Sequence, residues 1–419
     1  MTDNQNQPRD YDAVLGGQSP PPVDGVVLGG IEGVKRCLSN PVTQVRVAAL
    51  SEALKYGDAG LDVLIQALQD KSRLVQRFAY RVLKQKTEPQ VKQALQAYKP
   101  WNLEERFNEY QGYNVTQFAN RQVVEFDANT SITEPLNKAY ALRYWPYQNE
   151  NNLLSKFSRL LQEPNADKLE ALVFGLWEEE AYERNSSGII EALVDAKKYL
   201  TNLKAVFLGD IISDECEISW IQQSDISPIL KAYPKLEILQ VRGGDGLQFS
   251  PPIRHNHLKA LIVETGGLSR DTVAQICNMN LPALAHLELW FGSEDYGGDC
   301  WVEDLNPIIF AEKFPNLVYL GLRNSQFTDE IVSVIIGSPI INSISVLDLS
   351  MGTLTDAGAE ELLNSQAVNN LDILNISENF LSQEMIEKFS DLDVRVLANN
   401  QKEEDEDSYI HSRYCSVAE

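Results

Sequence analysis

The chain has 419 residues, 43% of them hydrophobic, which is enough for two or three domains or one long repeat array. Its formal net charge of -24 disfavours non-specific binding to nucleic acid or anionic lipid, so neither is expected as a partner. No apolar run reaches the ~18 residues of a membrane span. The five cysteines form no C-x-x-C pair and no signal-peptide pattern is present, so we expect reduced thiols and a cytoplasmic protein.

The charge is distributed unevenly along the chain. Residues 31–100 carry 12 Lys and Arg against 6 Asp and Glu, whereas the residues after them are strongly acidic. A basic module is therefore joined to an acidic one. Either both surfaces are simply solvated, or the basic module docks on an acidic partner.

The first 97 residues divide into two segments. Residues 1–30 are rich in Pro, Gly, Asn and Gln, which predicts a disordered N-terminal segment. Residues 31–97 repeat with an offset of 30 residues: "NPVTQVRVAAL" from Asn40 aligns with "DKSRLVQRFAY" from Asp70. Apolar positions recur there at helical spacing, so this segment resembles a short all-α solenoid of HEAT-like repeats.

Residues 98–166 are interpreted as a linker and the N-terminal cap of the next module. "RQVVEFD" (121–127) has the composition of a strand. "NNLLSKFSRLLQ" (151–162) has the spacing of an amphipathic helix.

Residues 167–397 contain a second repeat. L-x-x-L-x-L-like triplets begin at Leu169, Leu203, Leu236, Leu258, Leu284, Leu317, Ile344 and Leu371. Helical patterns lie between them, with Ser269, Thr328 and Thr355 as predicted helix caps. This spacing is typical of leucine-rich repeats and predicts an α/β solenoid with a parallel inner sheet and outer helices. Residues 398–419 are expected to form an acidic C-terminal tail whose last segment caps the final repeat.

Several motifs resemble one known family. "VRGGDGL", "ETGGLSRDTV", "LELWFGSEDYGGD", "LDLSMGTLTDAGAEELL" and the ending "RYCSVAE" are similar to a bacterial leucine-rich-repeat family of the ribonuclease-inhibitor-like class. The resemblance covers residues 118–419, and the pairing with a HEAT-like front end resembles cyanobacterial architectures. Because that family has no assigned activity, the resemblance implies a fold and not a function.

The inner face of the predicted sheet supplies the candidate site. Side chains alternate along a strand, so residues between and after the core positions point out from the concave face. The candidate partner-binding residues are Arg242, Glu264, Glu288, Trp290, Arg323 and Asp348. Gly321 is expected between the carboxylates of Glu288 and Asp348, where it would leave a notch beside Trp290 and Arg323.

Three interpretations of this face remain open. Arg323 can pair with a carboxylate and cover Trp290, so that the cluster only packs. Trp290 and Arg323 can instead anchor a protein interface. The two carboxylates can also act as a catalytic pair, although a nearby arginine would hold both ionised.

The function that this pattern favours is non-catalytic: a scaffold or adaptor that binds a protein on its concave face, with the basic helical module as a second docking surface. We expect no cofactor and no metal. One alternative is a hydrolase that uses Glu288 and Asp348, and another is a chaperone-associated or lyase-associated HEAT-repeat regulator. The identity of the partner and the oligomeric state are left open.

Overall fold

A computed structural model describes residues 30–98, 102–108, 112–127, 129, 131–144, 153–177, 183–310, 313–404 and 413–418. The chain divides into two compact units, Met1–Lys99 and Pro100–Glu419. The predicted disordered segment lies outside the described residues except for Gly30. Of the helices in those ranges, none is long and apolar enough to cross a membrane.

The described part of the first unit is helical. Its helices are α1 (Gly30–Leu38), α2 (Thr43–Ala53), α3 (Gly57–Ala67), α4 (Arg73–Lys84) and α5 (Pro89–Ala97). The predicted helical spacing brings apolar side chains onto one side of each helix, and Val34, Leu50, Leu64, Val75 and Leu83 are fully buried in one core.

The 30-residue sequence repeat has a structural counterpart in this unit. Arg46 donates from Nη1 to the carbonyl of Asn40 (2.7 Å), and Gln76, 30 residues later, donates to the carbonyl of Asp70. Arg46 also donates to both carboxylate oxygens of Asp70 at 3.1 Å, which ties the two turns together. The assignment of these helices to the HEAT class stays a prediction.

The second unit contains a twelve-stranded sheet whose strands follow chain order. The first two strands are antiparallel and every other neighbouring pair is parallel. The strands are β1 (Gln117–Phe118), β2 (Arg121–Glu125), β3 (Lys138–Leu142), β4 (Ala171–Gly175), β5 (Ala205–Asp210), β6 (Ile238–Arg242), β7 (Ala260–Glu264), β8 (His286–Gly292), β9 (Tyr319–Ser325), β10 (Val346–Asp348), β11 (Ile373–Asn375) and β12 (Arg395–Leu397). The eight predicted triplets correspond to β4–β11, which confirms the α/β solenoid.

The helices of this unit lie between successive strands in the chain. They are α6 (Leu153–Leu160), α7 (Ser187–Asp195), α8 (Ser227–Ala232), α9 (Arg270–Asn278), α10 (Asn306–Ile309), α11 (Thr328–Ile335), α12 (Asp356–Asn364) and α13 (Gln383–Lys388). Helix α6 lies within the segment predicted to be helical, whose first two residues are outside the described ranges.

A row of leucines shows how the triplets build the core. Leu239, Leu261, Leu287, Leu320 and Leu347 are successive register partners from β6 to β10, and all are fully buried. Each buried leucine stabilises the fold by about 1.5–3 kcal/mol relative to an exposed one. This one row therefore fixes both the register of the strands and the side of the sheet that faces the helices.

Two of the three predicted helix caps are confirmed. Ser269 accepts from the backbone N–H of Thr272, and Thr355 accepts from that of Ala357. The prediction for Thr328 is wrong, because it is the first residue of α11 and its hydroxyl donates to the carbonyl of Ser325 at 2.8 Å.

The C-terminal segment folds back onto the solenoid, where the ring of Tyr414 meets that of Phe380, in the last repeat, edge-on at 5.7 Å. The expectation that this segment caps the final repeat stays a prediction. Val417 donates its N–H to Asn324 at the end of β9 (2.9 Å), and Ser416 donates to the carbonyl of Met351 after β10 (2.9 Å). Residues 416 and 417 are therefore bonded near the ends of β9 and β10. Most of the "EEDED" run lies outside the described residues.

Candidate functional site

The predicted site residues lie on five neighbouring strands, β6 to β10. Arg242 is the register partner of Glu264, and Trp290 is the register partner of Arg323. Gly321 is the register partner of both Glu288 on one side and Asp348 on the other. The predicted order across the sheet is therefore correct.

The expectation that these six side chains are exposed is wrong. Arg242, Glu264, Glu288, Trp290, Arg323 and Asp348 each retain at most 4% of their accessible surface. The chain covers its own concave face with a segment that we call the strap, residues 102–108 and 112–118. Their role as partner-binding residues stays a prediction.

The first half of the strap contacts the middle of the sheet through side chains. Arg106 donates from Nη2 to Glu264 Oε1 at 2.7 Å and from Nε to Glu288 Oε2 at 3.1 Å. The ring of Phe107 meets the ring of Tyr319 edge-on, with centroids 6.1 Å apart. These contacts join residues that are more than 150 positions apart in the chain.

The second half of the strap contacts the N-terminal part of the sheet. Asn114 donates its side-chain amide to the carbonyl of Asp210 (2.9 Å), and Val115 donates its N–H to the Asp210 carboxylate (3.1 Å). Phe118 packs against Phe207, with centroids 5.9 Å apart. The small and apolar residues of β3–β7 that face the strap form a second, smaller core with it.

Glu288 is the centre of the buried polar network. It accepts from Arg106, Arg323 Nη1 (2.9 Å), Trp290 Nε1 (2.8 Å) and His286 Nε2 (3.1 Å). Burial alone would raise the pKa of this carboxyl, but Arg106 and Arg323 outweigh that effect and hold the pKa well below its usual range. Glu288 is therefore a carboxylate, and an ionised group cannot serve as a general acid.

Asp348 is also fully satisfied by short hydrogen bonds. It accepts from the Tyr319 hydroxyl (2.7 Å), the Ser350 hydroxyl (2.6 Å) and the Asn375 amide (3.0 Å). Burial and the neighbouring Asp348 carboxylate raise the pKa of Tyr319 far above its usual range, so the hydroxyl keeps its proton and donates.

The expected notch at Gly321 is filled. A Cβ added there would lie 2.9 Å from Glu288 Cγ and 2.9 Å from an aromatic carbon of Tyr319. The guanidinium of Arg323 lies over the Trp290 indole, 5.2 Å from the ring centroid. This geometry is the one expected if the cluster packs, because Gly321 relieves crowding and Arg323 covers Trp290.

The network extends beyond the predicted residues. Arg143 donates to Asp210 (Nε to Oδ2, 3.1 Å) and to Glu125 (2.8 Å), and Asp210 lies 4.0 Å from Arg242. We call the resulting series of alternating charges the charge ladder; its members are Glu125, Arg143, Asp210, Arg242, Glu264, Arg106, Glu288, Arg323 and Asp348. It joins strands from β2 to β10.

Sequence reasoning missed several members of this cluster. His286 and Tyr319 stack face to face at 3.8 Å, and each lies two residues before a concave-face position that the alternation had already identified. Extending that alternation by one step would have found both. Arg106 offers no such signal, because the strap has no strand or helix periodicity.

An open cleft of ≈ 750 Å³ remains between the strap and the sheet. Arg242, Glu264, Trp290 and Arg323 contribute to its floor, and Tyr113, which is 74% exposed, lines it from the strap. Four of the six predicted residues therefore reach a surface, but only at the bottom of a cleft whose other wall is the strap.

The class of protein defined by this geometry is an α/β solenoid with L-x-x-L-x-L-like triplets on its strands. A crystal structure of a protein from Bacteroides fragilis is similar to this chain at 30% identity and a TM-score of 0.58, covering 66% of this chain and 77% of that one. The chain belongs to the same family as that Bacteroides protein.

An internalin from Listeria monocytogenes is similar at 14% identity and a TM-score of 0.31, covering 62% of this chain and 65% of that one. No family model and no curated protein matches the sequence.

Proposed function

We propose that the chain is a non-catalytic scaffold that binds a protein partner in the cleft on the concave side of its solenoid. The observation that supports this proposal is the lining of the cleft, to which exposed Tyr113 contributes together with Trp290, Arg242 and Arg323. Tyrosine, tryptophan and arginine are the residues most often found as anchors of protein interfaces. A rigid sheet holds three of them in place.

The electrostatics of the site support binding over hydrolysis. A two-carboxylate hydrolase needs one carboxylic acid, whereas Arg106 and Arg323 lower the pKa of the buried Glu288. The Asp348 carboxylate accepts hydrogen bonds from Tyr319, Ser350 and Asn375, and it shares Arg323 with Glu288. Among the described residues, no observation favours the hydrolase or the lyase-associated alternative.

The helical unit is proposed as a second docking surface. Its excess of lysine and arginine suits an acidic partner. Lys35 and Lys55 keep most of their side-chain surface exposed, although each pairs with a glutamate three residues before it. The HEAT-like class, the cyanobacterial-type pairing of the two units and a cytoplasmic location belong to the same proposal.

Affinity capture from the native host with the full chain tests the scaffold proposal. We expect Tyr113→Ala to lose a specifically captured protein, or to weaken its binding by at least about tenfold, as for an interface anchor. Tyr199→Ala is the matched control, because Tyr199 is a 47% exposed tyrosine outside the cleft. Identical captured proteins and affinities for both variants would contradict the proposal.

A further inference from the structure

Arg106 places a guanidinium between two buried carboxylates of the sheet. It contacts Glu264 and Glu288, and only 11% of its side chain is exposed. It comes from the strap and not from a strand, so the pocket and its occupant belong to separate parts of the chain.

The pocket does not depend on Arg106 for its shape. Without Arg106, Glu264 keeps Arg242 Nε at 2.8 Å and Gln240 Nε2 at 2.9 Å. Glu288 keeps Arg323, Trp290 and His286. Neither carboxylate is left without a partner, so removal of Arg106 does not orphan a buried charge.

The pocket without Arg106 has a net negative charge. Three carboxylates, Glu264, Glu288 and Asp348, then face two guanidinium groups, Arg242 and Arg323. His286 adds no positive charge, since burial lowers its pKa. The vacated pocket therefore favours a cation, and the fork of a guanidinium fits two carboxylates better than a single ammonium does.

The strap is held in the way that a bound peptide is held. Within the described ranges, the backbone of residues 102–108 makes no hydrogen bond to β4–β12. The side chain of Asn120, between β1 and β2, accepts from the N–H of Glu104 (3.1 Å) and donates to the carbonyl of Asn102 (2.9 Å). Attachment to the rest of the sheet comes from side chains: Arg106 in the carboxylate pocket, Phe107 against Tyr319, and buried Leu103. Such anchors can be replaced one for one by those of another chain.

We propose that this pocket recognises a segment of a protein partner in which an arginine is followed by an aromatic residue, and that the strap occupies the same pocket as an internal competitor. The inference rests on the proposed scaffold function. The arginine of the partner takes the position of Arg106 between Glu264 and Glu288. Its aromatic residue packs where Phe107 packs, beside the stacked rings of Tyr319 and His286.

A labelled peptide with blocked ends and the sequence of residues 102–108, Asn-Leu-Glu-Glu-Arg-Phe-Asn, tests the competition by fluorescence anisotropy. We expect the full chain with Arg106→Ala and Phe107→Ala to bind this peptide at least about tenfold more tightly than the wild-type chain does. A tethered strap competes at a local concentration near the millimolar range, which suppresses wild-type binding. Arg254→Ala, which removes an exposed arginine elsewhere, should bind like the wild type.

Two altered peptides test whether the pocket recognises the arginine side chain. A peptide with alanine in place of the arginine should show no binding, and one with lysine should bind about tenfold more weakly, because lysine cannot form the fork. Equal binding of the arginine and alanine peptides, or no gain by the double variant with an unchanged circular dichroism spectrum, would overturn the inference. If the double variant does not fold, Arg106→Lys replaces it and must give a smaller gain of the same kind.

The remaining outcomes are distinguishable. A wild-type dimer that the peptide dissociates would assign the pocket to the strap of a second copy and would overturn the partner proposal. Failure of the peptide test while Tyr113→Ala still loses its captured protein would overturn this inference and leave the scaffold function standing. If the peptide binds as expected while Tyr113→Ala captures the same proteins as the wild type, the scaffold proposal loses its evidence and the assignment of the pocket stands.

Discussion

Trp290 and Arg323 are register partners on β8 and β9, with the guanidinium of Arg323 5.2 Å from the centroid of the Trp290 ring. Arg323 also donates to Glu288 at 2.9 Å and to the Ser350 hydroxyl at 2.9 Å. A desolvated cation–π contact stabilises by about 2 kcal/mol, and here it is combined with a buried ion pair. The pair therefore stabilises the solenoid whether or not a partner also touches it.

Trp290→Ala should lower the free energy of unfolding by about 3–5 kcal/mol, because it opens a cavity in a fully buried position and removes a donor to Glu288. Urea denaturation measures the change. Trp301→Ala is the control, since Trp301 is 52% exposed and its loss should cost less than about 1 kcal/mol. Equal losses for the two variants would mean that Trp290 is not packed as described.

Glu288→Gln should lower the free energy of unfolding by about 3 kcal/mol near neutral pH, because each buried arginine loses one of its two counter-charges. Arg106 then keeps only Glu264, and Arg323 keeps only Asp348, at 3.6 Å. Urea denaturation measures this change too. Glu384→Gln is the control, since Glu384 is an exposed glutamate paired with Lys388. A loss at Glu288 no larger than that of the control would show that the two arginines do not need this carboxylate.

The same variant should change the acid dependence of stability. The folded-state pKa of Glu288 lies below the ordinary value of 4.5, so its stabilisation is present above that pH and is lost as the pH falls toward the folded-state pKa. Denaturation curves from pH 7 to pH 3 should therefore fall less steeply for Glu288→Gln than for the wild type. Parallel curves would contradict the lowered pKa.

The sequence predicted correctly those parts of the structure that depend on the spacing of residues within one repeat. The leucine row from Leu239 to Leu347, the register of Trp290 with Arg323 and the caps at Ser269 and Thr355 all follow from spacing within one repeat. Each of these features needs only the alternation of a strand or the hydrogen-bonding pattern of a helix end.

The covering of the concave face could not be reached in this way. Arg106 meets Glu288 across 182 positions of sequence, and Val417 meets Asn324 across 93. Such contacts depend on where an irregular segment lies in three dimensions. Neither the strap nor the last residues of the chain have a periodic pattern that predicts this position. The burial of the predicted site could therefore not be predicted from the sequence.

Gly321→Ala should lower the free energy of unfolding by about 1–3 kcal/mol through overpacking, because its Cβ would press on Glu288 and on the Tyr319 ring. Gly188→Ala is the matched control: Gly188 lies in α7 with no heavy atom within 4 Å of an added Cβ. That change should stabilise the helix by about 0.5–1 kcal/mol. Thermal unfolding of both variants separates the two effects, and the same sign for both would contradict the filled notch.

Lys402 should make the stability of the folded chain rise with pH in alkaline solution. Its Nζ donates to the carbonyls of Gly352 (2.8 Å) and Tyr414 (2.6 Å), which ties the C-terminal segment to the solenoid. Burial lowers its pKa to about 8, whereas the ordinary value is 10.5. Between these two values the unfolded chain binds more protons than the folded chain, so raising the pH stabilises the fold, by up to about 3 kcal/mol.

Lys402→Met should remove that rise, and the difference between wild type and variant isolates it from other groups that titrate at the same pH. Cys415 is one of them, since burial raises the pKa of its thiol to about 12 and makes stability fall above pH 9. Because Lys402 itself acts on the pKa of this thiol, both proteins carry Cys415→Ala in this comparison. Lys388→Met, at an exposed lysine, should show no such difference. If the free energies of unfolding of the wild type and Lys402→Met stay parallel from pH 7.5 to 10.5, Lys402 keeps its proton in the fold, and its contacts with the C-terminal segment act as ordinary charged hydrogen bonds throughout that range.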